Sequence, residues 1–475
     1  MKSQSQKKNI YLIGIKGVGM TMLAQFLAEK GNGISGSDIC DTFLTDRVLK
    51  KEKIKVLSPF ASKNIPEKID LIIHSSAFTV KNNVEMAFLK NNPERFKKIR
   101  ILSYAEALGE VFNGYYGVAV CGSHGKTTTS AWLGYVLEKA GKAPNVLVGS
   151  RVPQLKGSSL LGKSRYFIAE VDEYQNKLQY FKPQGVVLNN IEFDHPDFFK
   201  DQAAYTKVFA DFVKKIPRAG WLVINNRDPE IRKIKKYCSG QVISYDIAPK
   251  NKTVETVNYL AHNLKLKNGY QVFSVNDWGE FKISLWGEHN VYNALAVIAA
   301  ARALKVSILD IRKHLAGFRG TERRAQLLGK YKGALIIDDY AHHPTEIKTT
   351  LTGLCARYPR KKIVTVFHPH TYTRTKALFK DFITSFGTTD ELIVLDIYGS
   401  AREKQGGVSS PQLVKEIIKY NKSHQILQTV KHIATIPQAA SYLRSRLKEN
   451  DLLLLMGAGD VFRIGEYLKY EENAS

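Results

Sequence analysis

Tyr116-Gly117-Val118-Ala119-Val120-Cys121-Gly122-Ser123-His124-Gly125-Lys126-Thr127-Thr128 changes character twice: an apolar run enters a turn with two glycines, and a helical pattern carrying Trp132, Leu133, Tyr135 and Val136 follows. Strand, glycine turn and helix in that order set backbone N–H groups and a positive helix end around an anion. Gly122 and Gly125 let the backbone approach a phosphate, the Lys126 ammonium reaches terminal phosphates, and the hydroxyl of Thr127 is of the type that ligates magnesium. Two residues separate the glycines where the common phosphate loop has four. A plain strand-to-helix turn with a solvated lysine is therefore the competing reading.

Downstream residues favour the phosphate loop. Phe167-Ile168-Ala169-Glu170-Val171-Asp172-Glu173 reads as a buried strand ending in carboxylates, and Val186-Val187-Leu188-Asn189-Asn190 as another that leads to Glu192, Asp194, His195 and Asp197. Open parallel sheets bind ligands at their strand ends. Oxygen and imidazole donors at two such ends suit a divalent cation, and magnesium needs few protein ligands. Surface acids in loops with one hydrogen-bonded histidine are the alternative.

Two further units flank this one. Upstream, Ile10 to Ile13 runs into Gly14, Gly17 and Gly19, followed by a helical pattern to Lys30; downstream, a third region begins near Arg324 with the strand Ala334 to Ile337. The first turn is Gly-x-x-Gly-x-Gly, not Gly-x-Gly-x-x-Gly, which counts against a dinucleotide-dependent oxidoreductase. Apolar strands alternating with periodic helices predict an α/β protein with parallel sheets covered on both faces. Boundaries near residues 112 and 325 give domains 1–112, 113–325 and 326–475. Over 254–285, Gln271 to Val275 and Phe281 to Ile283 alternate around the turn Asn276-Asp277-Trp278-Gly279, which predicts a small antiparallel addition to the middle domain.

The bulk composition agrees. A chain of 475 residues exceeds one core and predicts about three domains; 44% hydrophobic and 24% charged residues are ordinary for a globular protein. Lys16, Gln25 and three glycines interrupt the apolar run after Lys7 and Lys8, so a signal peptide is not expected, and no uncharged stretch is long enough to span a bilayer. A cytoplasmic protein follows. Cys40, Cys121, Cys238 and Cys355 lack metal or redox spacing and read as free buried thiols. The formal charge of +26 attracts polyanions, yet it is spread over dispersed lysines such as Lys214-Lys215 and Lys361-Lys362, so nucleic acid is not an expected partner.

The order of motifs resembles that of the Mur ligase family. Gly122-Ser123-His124-Gly125-Lys126-Thr127, Glu170-Val171-Asp172-Glu173 and Asn190-Ile191-Glu192-Phe193-Asp194-His195 are followed by Gly287-Glu288-His289-Asn290-Val291-Tyr292-Asn293, Arg323-Arg324 and Asp338-Asp339-Tyr340-Ala341-His342-His343-Pro344-Thr345-Glu346. His124, the last of these strings, Phe367-His368-Pro369-His370-Thr371-Tyr372-Thr373-Arg374-Thr375, Ser400-Ala401-Arg402-Glu403-Lys404 and Gly457-Ala458-Gly459-Asp460 are most similar to the branch that joins L-alanine to UDP-N-acetylmuramate. A branch that attaches a ready-made tripeptide to the same sugar nucleotide, in muropeptide recycling, shares much of this pattern and is the second candidate. A nucleotide-binding or nucleic-acid-binding protein without ligase activity is the reading from a different class.

The resemblance implies a Rossmann-like N-terminal domain, a central P-loop-type ATPase domain with a parallel sheet plus a small antiparallel sheet, and a Rossmann-like C-terminal domain. It implies ATP and Mg2+ as cofactors, UDP-N-acetylmuramate and L-alanine as substrates, and a place in cytoplasmic peptidoglycan synthesis. Gly122, Ser123, His124, Gly125, Lys126, Thr127 and Thr128 would hold ATP phosphates, His289, Asn290 and Asn293 adenine, Arg324 the phosphates and Asp339 the ribose. Capping of a helix by Asn290 is the plainer alternative for that residue. Thr127 and Glu173 would hold one magnesium and His195 a second; Lys126, Glu173, His195, Arg324 and His343 would be catalytic. Gly14, Gly17, Gly19, Met20, Ser75 and Ser76 would line the UDP-sugar site, with Lys16 either adding a phosphate contact or crowding the turn. Arg374 would meet the alanine carboxylate, with Tyr340 and His370 beside it; a surface arginine is the competing reading. Ala325 stands where the family commonly has a large apolar residue, and no lysine is in register for the carbamoylated residue of sibling enzymes, Lys207 being nearest.

Overall fold

The computed structural model of the chain describes residues 7–155, 157–249, 256–399, 403 and 405–472; Ser400, Ala401, Arg402 and Lys404 of the motif above lie outside them, as do residues 254 and 255. Three α/β lobes follow one another, each built on its own sheet.

In the first, β1 (Asn9–Ile13), β2 (Gly33–Ser37), β3 (Lys55–Leu57), β4 (Leu71–His74) and β5 (Arg100–Ser103) form a parallel sheet of order β3-β2-β1-β4-β5. The order reverses beside β1, so its carboxyl end opens a crevice toward that of β4.

The central sheet has ten strands: β6 (Tyr116–Cys121), β7 (Asn145–Val152), β8 (Gly157–Leu160), β9 (Tyr166–Glu170), β10 (Gly185–Leu188), β11 (Trp221–Asn225), β12 (Gln241–Ile247), β13 (Tyr259–Lys267), β14 (Tyr270–Val275) and β15 (Glu280–Ile283), in the order β15-β14-β13-β12-β11-β10-β6-β9-β7-β8. β6, β9 and β10 are nearly continuous apolar runs because helices cover both faces. The expected hairpin is present, but its strands continue the main sheet: β13 pairs parallel with β12, and β14 and β15 then pair antiparallel. Helix Lys126–Lys139 is buried around its whole circumference, since it lies between this sheet and helix Glu288–Ala303.

The third sheet comprises β16 (Gln326–Tyr331), β17 (Ala334–Asp339), β18 (Lys362–Phe367), β19 (Glu391–Val394), β20 (Thr429–His432), β21 (Asp451–Met456) and β22 (Glu471–Glu472), ordered β20-β19-β18-β21-β17-β16-β22. Its first five members are parallel, and the antiparallel β16 and β22 close one edge.

The first two lobes share one apolar core, in which Phe26 and Phe112 of the first meet the edge of Phe167 on β9 at 5.3 and 5.9 Å between ring centres. The third lobe has cores of its own, on either face of its sheet, and meets the rest around Trp286 and through polar side chains. Among the described residues no helix is long and apolar enough to cross a membrane. Of the four cysteines, all free, only Cys121 is buried; Cys40 is exposed and the other two are half-buried, contrary to the expectation of four buried thiols.

Candidate active site

The phosphate loop is shaped by its glycines. Gly122 (φ 123°) and Gly125 (φ 77°) occupy left-handed backbone, and a Cβ on Gly122 would come within 2.7 Å of the Asn190 carbonyl oxygen. Asn190 also fixes the loop by accepting the His124 N–H (2.7 Å). Helix Lys126–Lys139 starts at Gly125 with no side-chain cap, which leaves its first N–H groups to the loop. Lys126 folds back so that its ammonium donates to the Gly122 (2.5 Å) and Ser123 (3.1 Å) carbonyls and to Glu173 (3.2 Å). Burial works against that charge, but Glu173, Asp172 and Glu170 outweigh it and raise the lysine pKa. Ser123 donates to the Glu192 carbonyl (2.6 Å), while Thr128 lines the adjoining cavity.

Beyond Lys126 the donors change to oxygen and imidazole. The Thr127 hydroxyl donates to Glu170 (2.8 Å), and Glu173, only 1% exposed, accepts from the Tyr205 phenol (2.8 Å) and lies 3.7 Å from His195 Nε2. Ligand atoms of Asp172, Glu173 and His195 all fall within 4.8 Å of one another. His195 itself is held at φ 57° in left-handed backbone, with its ring against Tyr174 at 4.6 Å. Two carboxylates, that of Glu173 buried, with an imidazole beside them fit a hard divalent cation such as Mg2+, while the expected ligand Thr127 is bonded to Glu170. Glu170 and Tyr205, which fix these ligands, were not among the expected site residues.

A cavity of about 1070 Å³ opens next to the loop, between the central and third lobes, lined by His124, His289, Asn290, Asn293, Arg324 and Asp339 among others. His289 is pushed down to about 4 by burial and so is neutral at pH 7. The cap of its helix is Gly287, not Asn290; Asn290 donates instead to the Trp286 carbonyl (2.8 Å) and receives the Asn293 amide (3.2 Å). Asp339, on β17, accepts the Ala325 and Ala341 N–H groups (both 2.7 Å), and burial raises its carboxyl to about 6. Arg324 lies 3.8 Å from Glu346 and over the Tyr340 ring at 5.2 Å.

Two groups of contacts join the lobes here. His124 stands between Glu192 (Nε2, 3.1 Å) and Glu346 (Nδ1, 3.1 Å), and Thr345 donates to Glu192. Burial would lower this imidazole, but the two carboxylates push it up to about 9, so it is charged at pH 7. His343 caps helix Pro344–Arg357 by accepting the Thr345 N–H (3.3 Å), and its ring lies 4.8 Å from that of His124. In the second group, Arg374 of the third lobe meets Asp194 of the central lobe, with Nε and Nη2 at 3.0 to 3.3 Å from its oxygens. Arg374 is thus 6% exposed and not a surface residue. His370 Nδ1 is 3.3 Å from Arg374 Nη1; Tyr340 sits further off, in contact with His342, which in turn faces His370.

At the first lobe's crevice, Gly14 (φ 83°) lies so close to Phe78 and Ser75 that a Cβ would meet them at 2.6 and 2.9 Å. Gly17 begins helix Val18–Glu29 without a side-chain cap, Gly19 packs on Tyr104, Met20 is buried, and Ser76 is half-buried beside Ser75. Lys16 reaches the carbonyls of Ile39 (3.0 Å) and Asp41 (2.8 Å), so it braces the loop after β2. Lys207 pairs with Asp211 on the exposed face of its helix, away from these ligands.

Comparison with known proteins gives one consistent result. The Mur ligase family catalytic domain matches residues 9–116, the Mur ligase middle domain 120–301, and the Mur ligase glutamate ligase domain 323–459. The UDP-N-acetylmuramate–L-alanine ligase of Alkaliphilus metalliredigens is 36% identical over 99% of this chain and 98% of its own. Among solved structures, the UDP-N-acetylmuramate-alanine ligase of Thermotoga maritima superposes with a TM-score of 0.79 at 24% identity, covering 97% of this chain and 98% of its own. A murein peptide ligase from Psychrobacter arcticus superposes with a TM-score of 0.73 at 22% identity over 97% and 98% of the two chains. With three matched domains in order and this identity along nearly its full length, the chain belongs to the Mur ligase family.

Proposed function

We propose that this protein joins L-alanine to the lactyl carboxylate of UDP-N-acetylmuramate at the expense of ATP, in peptidoglycan precursor synthesis. The observation that carries the reading is the meeting, at one joint between lobes, of the Lys126 loop, the Glu173 and His195 ligands and the Arg374 guanidinium. Residues 1–112 are assigned to the UDP-sugar, 113–325 to ATP and 326–475 to the amino acid. Likeness to a relative with that printed activity over almost the whole chain supports alanine as the acceptor.

ATP in the cavity would place its terminal phosphate at Lys126 and the helix end, its adenine toward Asn290 and Asn293, and its ribose toward Asp339. Glu173 and His195, which lie together with Asp172, and Thr127 of the loop would hold Mg2+, and the ion would supply charge neutralisation at the phosphates. The sugar's carboxylate takes the terminal phosphoryl group and ADP leaves; the alanine amine then attacks the acyl phosphate, and phosphate leaves from a tetrahedral intermediate. Lys126 and the loop N–H groups stabilise the phosphoryl oxygens in the first step by electrostatics and alignment. Closure of the third lobe over the cavity keeps water from the acyl phosphate.

The test is phosphate release from ATP in the presence of UDP-N-acetylmuramate with L-alanine, L-serine, glycine or the tripeptide in parallel. Release that requires both the sugar nucleotide and L-alanine is expected. Preference for the tripeptide would replace this reading with the recycling ligase, and release independent of any amine would remove ligation altogether.

A further inference from the structure

Arg374 accounts for its five N–H groups in an unequal way. The Nε and Nη2 edge is spent on Asp194, at 3.1 Å (Nε to Oδ1) and 3.0 and 3.3 Å (Nη2 to Oδ1 and Oδ2). His370 Nδ1 takes an Nη1 hydrogen at 3.3 Å. A guanidinium is planar with five N–H groups, and these contacts account for Nε–H, one hydrogen of Nη2 and one of Nη1, which leaves one hydrogen on each terminal nitrogen, at the end formed by Nη1 and Nη2. Among the described residues no other group bonds to that end. It is a ready fork for a carboxylate.

What sets the direction of that fork belongs to the other lobe. Asp194 follows β10 in the central lobe, and its Oδ1 also accepts the backbone N–H of His195 (2.7 Å). One buried carboxylate, 7% exposed, therefore orients the third lobe's arginine and fixes the backbone of the imidazole assigned to the metal. We propose that Asp194 is a positioning residue for the acceptor amino acid: by holding the side edge of Arg374 it presents the end fork to the acceptor's carboxylate, and only when the third lobe is closed on the central one. The idea rests on the reading of Arg374 as the acceptor site. It goes further in naming the residue that makes that site dependent on closure.

The experiment measures KM for L-alanine, KM for ATP and kcat on the full-length protein carrying Asp194→Asn, Asp194→Glu, Arg374→Ala, and Asp194→Asn with Arg374→Ala. Both Asp194 variants are expected to raise KM for L-alanine roughly tenfold to a hundredfold, since displacement of a positioning group by about 1 Å has effects of that size; KM for ATP should change little in Asp194→Asn, which keeps an oxygen for the His195 N–H. In the Arg374→Ala background, Asp194→Asn should add nothing, because a residue that acts only through another is silent once the other is gone. A loss that adds to that of Arg374→Ala, or that raises KM for ATP as much, would overturn the proposal and place Asp194 on the phosphate side. So would an Asp194→Glu enzyme, folded by circular dichroism, with wild-type KM for L-alanine. If Arg374→Ala itself leaves that KM unchanged, the acceptor assignment of Arg374 fails first, and the failure is distinguishable from that of Asp194.

Discussion

Lys126 combines three properties that separately are common: burial, three neighbouring acids and a place at an uncapped helix end. Its raised pKa keeps it charged at pH 7, so its role is a fixed charge and not proton transfer. Lys126→Ala is expected to fold and to lose turnover by about two to three powers of ten, as removal of one transition-state donor does elsewhere; phosphate release measures it, and a variant with half the activity defeats the loop assignment. Asp339 gives a prediction in pH. Its carboxyl titrates near 6, above the ordinary 3.8, so it contributes stability that is present below about 4 and lost as pH rises through about 6. Its use as a ribose acceptor runs the other way, because only the ionised form accepts from both hydroxyls. KM for ATP should therefore rise as pH falls through about 6, and the rise should vanish in Asp339→Asn; a wild-type profile flat from pH 5 to 8 would contradict the ribose assignment. At this scale Lys126 and Thr127 could be read as the start of a helix after a glycine turn, and Glu173 and His195 as donors in the loops that follow apolar strands. Tyr205 was not, since within Gln202–Val213 it sits on the buried face of an ordinary helix. Nor were the partners of Arg374 and His124, which lie 180 and 222 residues away in sequence.

The elements that hold these residues are stiff where the chemistry needs them to be. Helix Lys126–Lys139 is locked by Trp132, whose ring stacks on Phe318 at 5.1 Å and whose N–H donates to the Leu315 carbonyl (3.2 Å). Trp132→Ala removes a large buried ring and leaves that carbonyl without its donor, so a loss of about 3 to 5 kcal/mol is expected. Chemical denaturation checks it, and a loss under about 1 kcal/mol would mean that the helix is held by other contacts. Strand type was readable from alternation, as for β14 and β15 around Asn276 to Gly279. Strand partner was not. Nothing in Tyr259–Lys267 distinguishes a separate antiparallel sheet from the observed parallel pairing with β12, because period-two alternation specifies a face and not a neighbour. β16 escaped for a related reason: its short run Gln326–Tyr331 shifts register against β17 between Leu327 and Gly329, and Gly329 lies so close to β22 that a Cβ would strike the Glu471 carbonyl.

Over the whole molecule, the joints between lobes differ in kind. The first and central lobes are fused through an apolar core that includes Phe26, Phe112 and Phe167, which predicts that they move as one body. The third lobe meets them around the cavity by charged and polar contacts: His124 with Glu346, Thr345 with Glu192, and Arg374 with Asp194. Polar groups can be solvated once lobes part, where an apolar core cannot, so this is the joint able to open for nucleotide entry. Removing them should bias the protein toward an open form without unfolding any lobe. Glu192→Ala with Arg374→Ala is therefore expected to show a larger radius of gyration by small-angle scattering than the wild type, and to contract on addition of a non-hydrolysable ATP analogue with UDP-N-acetylmuramate. The midpoint of thermal unfolding should move little, because the lobes keep their own cores. Identical scattering from variant and wild type, with and without ligands, would show that apolar contact around Trp286 alone fixes the third lobe, and that closure is not part of the reaction cycle.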